Sequence, residues 1–395
     1  MKINIPRDIK NELIAAAKDY PVVTITGPRQ AGKTTLVRET FPGMPRVSLE
    51  DLDERDFATS DPRGFLARFP EGAIFDEIQR VPTLLSYIQT LVDEIQKPGM
   101  FILTGSHQVE LSAAITQSLA GRTALLKLLP LSFNELSTLN LQLSLDEYML
   151  NGMYPRLYDN NLNPTKYYSS YVQTYVERDV RKMINVKDLN LFQKFMKICA
   201  GRVAQIFNSN SISNEVGVSH HTIQEWVSVL EASFLTVRLE PYFENFGKRV
   251  IKSPKLYFTD VGLVAYLLGI NNVTQIQRDP LRGNLFENMV IMDFYKNRYN
   301  FGFEPGFYFH HESNEREIDL LFKISNKLIP IEIKSAQTFN FEFFKNVNYL
   351  QKLLPERAPF GFVVYGGTQE QWIDTTRVVN YHHILDVIRY AEENV

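Results

Sequence analysis

A glycine-rich segment near the N-terminus has the residue types and spacing that bind phosphate. The segment reads Gly27-Pro28-Arg29-Gln30-Ala31-Gly32-Lys33-Thr34-Thr35, and its first eight residues fit the pattern G-x-x-x-x-G-K-[ST]. Glycines let the backbone curl, so that N–H groups and a following helix N-terminus converge on a phosphate. The lysine adds positive charge at the β- and γ-phosphates, and the first threonine is a ligand for Mg²⁺. These residues therefore predict a site for ATP with Mg²⁺.

Two carboxylates end a candidate buried strand further along the chain. The run Gly72-Ala73-Ile74-Phe75 passes directly into Asp76 and Glu77. Ligands of parallel sheets bind where the strands end. Asp76 is therefore expected to hold Mg²⁺, directly or through water, and Glu77 to polarise the attacking water. A strand that simply ends in two solvated acids is the alternative interpretation.

Three more side chains are candidates for assisting phosphate chemistry. Thr104 and Ser106 follow the apolar run at 100–103, where a hydroxyl can hold the water or sense the γ-phosphate. Arg122 is a candidate for stabilising charge on the transferred phosphoryl group, in its own subunit or in a neighbouring one. An ordinary exit from a strand and a surface salt bridge are the alternatives for these residues.

Strand and helix patterns alternate around these residues. The predicted strands are residues 21–26, 45–49, 72–77, 100–106 and 124–130. Helices are predicted at 7–19, after the glycine-rich loop and at 84–95. Such alternation is typical of a parallel α/β sheet. The predicted fold class of the N-terminal region is therefore the α/β sheet of P-loop NTPases.

The N-terminal motifs resemble those of a widespread group of prokaryotic AAA-superfamily ATPases with a C-terminal domain of unknown function. The resemblance rests on residues 27–34, 75–80, 103–106, 119–122 and 130–136. It implies ATP binding by Gly27, Gly32, Lys33 and Thr34, and a role with Mg²⁺ and water for Asp76 and Glu77. The family usually has a double glycine before Tyr-Pro-Arg, whereas this chain reads Asn151-Gly152-Met153-Tyr154-Pro155-Arg156.

The middle of the chain has a helix-turn-helix pattern. After a helix predicted at 192–207, a short helix and a Gly-containing turn at 211–219 lead into a second helix at 220–230 that is capped by Ser219. Strands at 234–239 and 255–258 would form a wing with a basic tip at 247–252. The second helix has no arginine to read guanine, so sequence-specific DNA readout is not expected. A winged-helix domain of this kind binds either DNA phosphates or a protein partner.

Composition and charge narrow the class of protein. The 395 residues include 44% hydrophobic and 22% charged residues, without a run of eighteen apolar residues, which predicts a cytoplasmic protein without a membrane span. The single cysteine, Cys199, forms no internal disulfide and is expected in a helix core. Residues 163–256 carry thirteen Lys/Arg against eight Asp/Glu. This positive surplus of five suits a polyanion or a solvated helical face.

Acidic residues and a lysine recur with a distinctive order near the C-terminus. Asp319 lies in one apolar strand candidate, Glu332 and Lys334 share one face of the next, and Glu287 lies on a preceding helix. This D…E-x-K arrangement resembles that of the restriction-endonuclease-like fold. The resemblance implies Mg²⁺ bound by Glu287, Asp319 and Glu332, with Lys334 orienting water. Acids and lysines that alternate on half-exposed strands are the alternative.

Four regions follow from these patterns. They are an AAA-type P-loop ATPase domain at 1–140, a helical lid or linker at 141–190, a winged-helix domain at 191–275 and an α/β restriction-endonuclease-like domain at 276–395. The predicted function is Mg²⁺-dependent ATP hydrolysis coupled to a C-terminal region that binds or cleaves DNA. The alternative is a nucleotide-dependent switch or scaffold that binds protein partners through a non-cutting C-terminal fold. An oligomer is compatible with either function.

Overall fold

The computed structural model describes residues 5–106, 115, 117–176, 189–242, 253–312 and 316–395. Within these residues the strands form a five-stranded, a two-stranded and a six-stranded sheet. The predicted basic tip at 247–252 lies outside the described residues. None of the helices that the structure describes has the length and apolar character needed to cross a membrane.

The N-terminal sheet is parallel throughout. Its strands are β1 (Val22–Thr26), β2 (Arg46–Ser48), β3 (Ala73–Asp76), β4 (Phe101–Gly105) and β5 (Thr123–Lys127), in the order β2-β3-β4-β1-β5. Every residue of β1, β3 and β4 is buried, because helices cover both faces. The predicted parallel α/β sheet is confirmed.

Helices with bounds inside the described residues surround this sheet. They are α1 (Lys10–Asp19), α2 (Lys33–Thr40), α3 (Leu52–Ser60), α4 (Pro62–Ala67) and α5 (Leu84–Ile95). The helix α2 begins at the last residues of the glycine-rich loop, and α5 has the bounds that its apolar spacing predicts.

The middle region is helical, with one small sheet. Its helices are α6 (Phe133–Ser137), α7 (Leu145–Asn151), α8 (Pro155–Asp159), α9 (Pro164–Tyr171), α10 (Leu189–Ala200), α11 (Ser209–Val216), α12 (His220–Ala232), α13 (Val261–Leu267) and α14 (Val273–Arg278). A π-helical turn, Val172–Val176, follows α9. The strands β6 (Thr236–Leu239) and β7 (Lys255–Phe258) are antiparallel.

The predicted helix at 192–207 ends early for a tertiary reason. Its counterpart α10 ends at Ala200, because the backbone segment that follows pairs with β7 and with the residue just before β7. Ala204 N donates to Leu256 O at 3.0 Å and Phe207 N to Pro254 O at 2.7 Å. The cap of α12 follows the sequence, since Ser219 Oγ accepts from Thr222 N at 3.1 Å.

The C-terminal region is a mixed sheet with a long helix. It consists of α15 (Arg282–Asn300), β8 (Phe307–His311), β9 (Glu317–Ile324), β10 (Lys327–Lys334), α16 (Lys345–Leu353), β11 (Gly361–Tyr365), β12 (Gln371–Ile373), β13 (Thr376–Asn380) and α17 (Ile384–Glu393). The order is β12-β13-β11-β10-β9-β8, with β10, β11 and β13 parallel and the other neighbours antiparallel.

One hydrophobic core joins the middle and C-terminal regions. A continuous cluster runs from Leu129 through the middle helices to Ala391 in α17. Thirteen residues of α15 are buried, which makes it the central helix of this shared core. The three regions predicted after residue 140 therefore share this core, and two smaller hydrophobic clusters lie beside it in the C-terminal region.

Candidate nucleotide site and a second acidic cluster

The glycine-rich loop connects β1 to α2 at the carboxyl edge of the parallel sheet. Gly27 has a φ of +151°, and a Cβ there would lie 2.0 Å from the carbonyl oxygen of Leu128. Gly32 has a φ of +97° and precedes the first residue of α2. Both glycines therefore hold backbone positions that a side chain would disrupt.

Lys33 lies inside this loop, at the first turn of α2. Its Nζ donates to the carbonyl oxygens of Gly27 and Pro28, each at 2.9 Å, and the side chain is buried. The N-terminus of α2 adds partial positive charge at the same place. The loop thus combines a fixed ammonium group with helical N–H groups, as a phosphate site requires.

Oxygen donors suited to Mg²⁺ lie beside the loop. Thr34 Oγ1 donates to the two carboxylate oxygens of Asp76, at 2.9 and 3.1 Å. The Thr104 hydroxyl also donates to Asp76, and Arg46 Nη1 lies 3.4 Å from Asp76 Oδ2. Magnesium at nucleotide sites takes one or two protein oxygens besides phosphate and water. The residues present therefore fit the Mg²⁺ that the motif implies.

Glu77 stands in a strained and polar setting next to Asp76. Its backbone is left-handed, with φ 59° and ψ 47°, a conformation that is uncommon for non-glycine residues. Oε2 accepts hydrogen bonds from Gln79 Nε2 at 2.5 Å and Ser106 Oγ at 3.0 Å. Burial raises the pKa of Glu77, but the charges of Lys33 and Arg29 and these hydrogen bonds outweigh it, so the pKa lies below its usual value. Glu77 is therefore ionised, as a base must be.

The structure does not bring Arg122 to this site. Arg122 precedes β5, and its carbonyl accepts from Val22 N at 3.2 Å, at the amino edge of the sheet. That edge is roughly five strand residues, about 16 Å, from the glycine-rich loop. Its guanidinium bonds Asp93, with Nε 2.5 Å from Oδ1 and Nη2 2.8 Å from Oδ2. This geometry corrects the expectation of a role within its own subunit: Arg122 forms the surface salt bridge that was its alternative.

Arg7 and Arg156 are among the arginines that border the nucleotide pocket, and the phosphate-binding motifs single out neither of them. A cavity of about 600 Å³ lies over the loop and is lined by Arg7 and Arg156 as well as Lys33, Thr34 and Glu77. Arg7 donates to Ala31 O at 2.6 Å, to Leu129 O at 2.7 Å and to Glu135 at 2.9 Å, and so braces the loop from outside. Arg156 is part of the Tyr-Pro-Arg sequence of the family, to which the sequence alone assigned no role.

The turn before Arg156 is fixed by a buried carboxylate of the middle region. Asp260 accepts hydrogen bonds from Met153 N at 2.6 Å and Tyr168 Oη at 2.5 Å, and also from Leu263 N at 3.0 Å. Burial raises the pKa of Asp260, and these hydrogen bonds oppose the rise. The pocket wall at α8 is therefore tied to the segment that follows β7.

A second cluster of ionisable groups lies in the C-terminal region. Ile331 pairs with Leu320 in the antiparallel β9–β10 ladder, which places Glu332 directly opposite Asp319. Lys334 Nζ is 2.6 Å from Glu332 Oε1 and 3.6 Å from Asp319 Oδ2. The predicted residues of β9 and β10 do come together.

The same cluster extends to α15 and includes a lysine that the sequence patterns did not indicate. Lys255 Nζ, from β7, is 3.1 Å from Glu287 Oε1 and also contacts Glu317. Tyr257 Oη donates to Glu287 at 2.6 Å. Burial raises the pKa of Glu287 to about 7, although Lys255 opposes the rise. Burial likewise raises the pKa of Glu332 to about 8, with Asp319 adding to it.

Family models match three consecutive regions of the chain. Residues 19–137 match the model described as "AAA domain". Residues 142–274 match "Domain of unknown function (DUF8612)", and residues 282–384 match "Domain of unknown function (DUF4143)". The N-terminal region is therefore similar to P-loop domains of the AAA type. Nucleotide binding at the loop is supported by the same match.

Curated relatives extend over most of the chain. An uncharacterized protein of Mycobacterium tuberculosis is 28% identical over 336 residues, which is 84% of this chain and 74% of the relative. An uncharacterized protein of Haemophilus influenzae is 25% identical over 297 residues, 71% of this chain and 68% of the relative. Neither name states an activity.

Solved structures share little sequence with this chain. The Walker-type ATPase PABY2304 of Pyrococcus abyssi is 14% identical with a TM-score of 0.46, covering 66% of this chain and 94% of its own. AMPPCP-bound DnaA from Aquifex aeolicus is 14% identical with a TM-score of 0.30, covering 56% and 85%. Scores this low do not establish a shared fold.

Proposed function

We propose that this protein hydrolyses ATP at the glycine-rich loop and couples its nucleotide state to the C-terminal region. The observation that carries the proposal is the convergence of Lys33, Thr34 and the ionised Glu77 on one cavity of about 600 Å³, with Asp76 bonded to Thr34 beside it. Phosphate binding alone would need only Lys33. Hydrolysis also needs a base beside the phosphate site, and Glu77 is placed to serve as that base.

The residues take distinct parts in the reaction. Glu77 polarises the water that attacks the γ-phosphate in line, while Ser106 and Gln79 hold the carboxylate in place. Lys33 stabilises charge that builds on the transferred phosphoryl group. Bound Mg²⁺ would neutralise phosphate charge, and Thr34 and Asp76 are the residues that would hold it.

Coupling is supported by the joint between the pocket wall and the shared core. Met153 and Arg156 belong to one short segment, of which Met153 bonds Asp260 and Arg156 lines the cavity. Asp260 lies two residues after the end of β7, which packs on α15 through paired hydrogen bonds between Phe258 and Asn288, at 2.7 and 3.0 Å. A shift of α8 on nucleotide binding would therefore be transmitted through Asp260 and β7 to α15 in the C-terminal region.

The loop assignment is tested with Lys33→Ala and a remote lysine as control. Lys97 is exposed, pairs with Glu71 and precedes β4 at the opposite edge of the sheet. We expect Lys33→Ala to abolish ATP hydrolysis and the calorimetric heat of adding Mg-ATP, whereas Lys97→Ala behaves like the wild type. Hydrolysis at the wild-type rate by folded Lys33→Ala would refute the assignment.

The C-terminal region, in our proposal, acts on DNA with a bound divalent cation. The helix α15, the antiparallel β8-β9-β10 and the parallel β11 follow in the order expected of a restriction-endonuclease-like fold, and Lys334 contacts both Glu332 and Asp319. Glu287 contacts Lys255 instead, and no three acidic, imidazole or thiol side chains among the described residues are grouped to hold a metal ion. Cleavage of DNA with Mg²⁺ or Mn²⁺, lost in Asp319→Ala and Glu332→Ala but kept in the exposed-acid control Glu356→Ala, supports this.

A non-cutting switch remains the second candidate function, because lysines neutralise this cluster. Glu332 pairs with Lys334 and Glu287 with Lys255, and the exposed face of α12 offers His220, His221 and Glu225 but no arginine. A switch predicts no cleavage of any DNA and ATP-dependent capture of a protein partner. Cleavage assays with single-stranded, duplex and branched DNA decide between the two.

A further inference from the structure

Glu135 connects two distant segments of the chain beside the phosphate-binding loop. The residue lies on α6 and is 0% exposed. Its Oε1 accepts hydrogen bonds from Arg7 Nε and from Asp8 N, each at 2.9 Å. The same oxygen accepts from Asn300 Nδ2 at 3.4 Å, at the end of α15. One buried carboxylate oxygen therefore joins the N-terminal segment to the long C-terminal helix.

Capping of α6 accounts for only one oxygen of this carboxylate. Ser132 N donates to Glu135 Oε2 at 2.9 Å, and Glu135 N donates to Ser132 Oγ at 3.2 Å, which is a capping box. Ser144 and Glu147 form the same box at α7, where Ser144 N donates to Glu147 Oε2 at 2.7 Å on the protein surface. Capping therefore explains neither the burial of Glu135 nor the contact of its Oε1 with Arg7.

Arg7 carries the influence of Glu135 to the loop. Its Nη1 donates to Ala31 O at 2.6 Å and its Nη2 to Leu129 O at 2.7 Å. With Nε on Glu135, each nitrogen of the guanidinium has an oxygen partner, and the side chain is 7% exposed. The guanidinium is planar and holds its N–H groups in a fixed fork, so a carboxylate on Nε sets the direction of the other two nitrogens.

The long helix α15 fixes the start of α6. Asp293 Oδ1 accepts from Phe133 N at 2.8 Å, and Lys296 Nζ donates to Leu131 O at 2.9 Å. Asp293, Lys296 and Asn300 are spaced by three and four positions, so they lie on one face of the helix. The start of α6 is therefore attached to the C-terminal region on one side and to the N-terminal segment on the other.

We propose that Glu135 is a positioning residue for the phosphate-binding loop and acts through Arg7. The Ala31–Gly32 peptide is trans and planar, so its carbonyl and its N–H point in opposite directions. Arg7 holds the Ala31 oxygen outward, which turns the Gly32 N–H toward the phosphate. This inference rests on the proposed ATPase function and adds a second connection between the nucleotide site and α15.

Calorimetric titration of the full chain with Mg-ATP tests the inference. Glu135→Gln keeps the size of the side chain and a residue suited to the capping box, but removes the charge that Arg7 needs. We expect Glu135→Gln to raise the ATP dissociation constant about tenfold, as Arg7→Met does, through loss of a charged hydrogen bond. Glu147→Gln makes the same change in the α7 box, and Ser132→Ala removes the Oγ acceptor of the α6 box; both should bind ATP like the wild type.

A double-mutant cycle separates positioning from a merely structural role. If Glu135 acts through Arg7, the double variant Glu135→Gln/Arg7→Met should also bind ATP only about tenfold more weakly, because each change breaks the same link. Two independent structural losses would multiply to about a hundredfold, and that result overturns the inference. Wild-type affinity in folded Glu135→Gln overturns it as well.

Arg7→Lys carries the test if Glu135→Gln does not fold. Lysine keeps the positive charge beside Glu135 but lacks the fork that joins Glu135 to Ala31 O. We therefore expect Arg7→Lys to raise the ATP dissociation constant about tenfold, and wild-type affinity in this variant would overturn the inference. These outcomes leave the proposed ATPase function intact, whereas a wild type that gives no heat with Mg-ATP would overturn that function together with the inference.

Discussion

Gly152 is the position where a single added carbon should loosen the joint between the nucleotide pocket and the shared core. It has a φ of +68° and a ψ of −164°, a region that is almost restricted to glycine. A Cβ there would lie 2.0 Å from Tyr168 Oη and 2.5 Å from Asp260 Oδ1. Gly152→Ala therefore meets both a backbone and a steric penalty.

The size of the effect follows from these two terms. The backbone conformation costs of order 1–3 kcal/mol for a non-glycine residue. Displacing Tyr168 from Asp260 sacrifices a hydrogen bond to a charged group, worth about 1.5–3 kcal/mol. Gly152→Ala is thus expected to lower the free energy of unfolding by about 2.5–6 kcal/mol.

Substitutions at two other glycines separate the backbone cost from the steric cost. Gly217 has a φ of +90°, and an added methyl group there would have nothing within 4 Å, so Gly217→Ala should cost only the left-handed conformation, about 1–2 kcal/mol. Gly283 lies in the first turn of α15 with equal space and an ordinary backbone, so Gly283→Ala should be neutral or stabilising by up to about 1 kcal/mol.

Urea unfolding followed by tryptophan fluorescence measures this series. The buried Trp226 belongs to the shared core and reports its loss. If the free energies of unfolding of Gly152→Ala and Gly217→Ala lie within about 1 kcal/mol of each other, the steric part of the reasoning is refuted. We also expect Gly152→Ala to weaken ATP binding, since the turn sets the position of Arg156 at the pocket.

Three further predictions concern catalysis, the loop brace and pH. Glu77→Gln should lower the ATP hydrolysis rate by about 10²–10⁴-fold with calorimetric ATP affinity unchanged, and equal losses of both would contradict its role as base. Arg7→Met, compared with the exposed Arg63→Met, should raise the ATP dissociation constant about tenfold through loss of a charged hydrogen bond. Burial raises the pKa of Asp293 from 3.8 to about 7, so its stabilising effect is full at low pH and is lost as pH rises through about 7. The free energy of unfolding should therefore fall from pH 5 to 8, and Asp293→Asn should flatten that dependence; identical pH profiles would exclude Asp293 as its source.

Local chemistry explains what could be predicted from the sequence. The loop at 27–34, the bounds of α5 and the Ser219 cap depend on neighbouring residues, so their patterns are visible along the chain. The parallel sheet followed from alternation of apolar strands with helices. Asp76, Glu77 and Ser106 could be placed together because parallel strands end at one edge.

Long-range contacts account for what the sequence did not reveal. The backbone after Ala200 leaves its helix to pair with β7, more than fifty residues away in the chain. Arg7 and Lys255 join their sites from distant segments, and no local spacing marks either one. An arginine suits phosphate chemistry, but Arg122 directly precedes β5. The direction of that strand places Arg122 at the amino edge of the sheet, away from the glycine-rich loop.

The reach of Arg7 affects where the ATPase region can be cut from the rest of the protein. Similarity to the AAA domain begins at residue 19, yet the guanidinium that holds the Ala31 carbonyl comes from twelve positions earlier, and its partner Glu135 lies close to the other boundary. A fragment trimmed to residues 19–137 would keep every motif residue and lose the outer support of the loop. Expression limits drawn from sequence similarity would therefore yield a domain with intact motifs and a weakened grip on nucleotide.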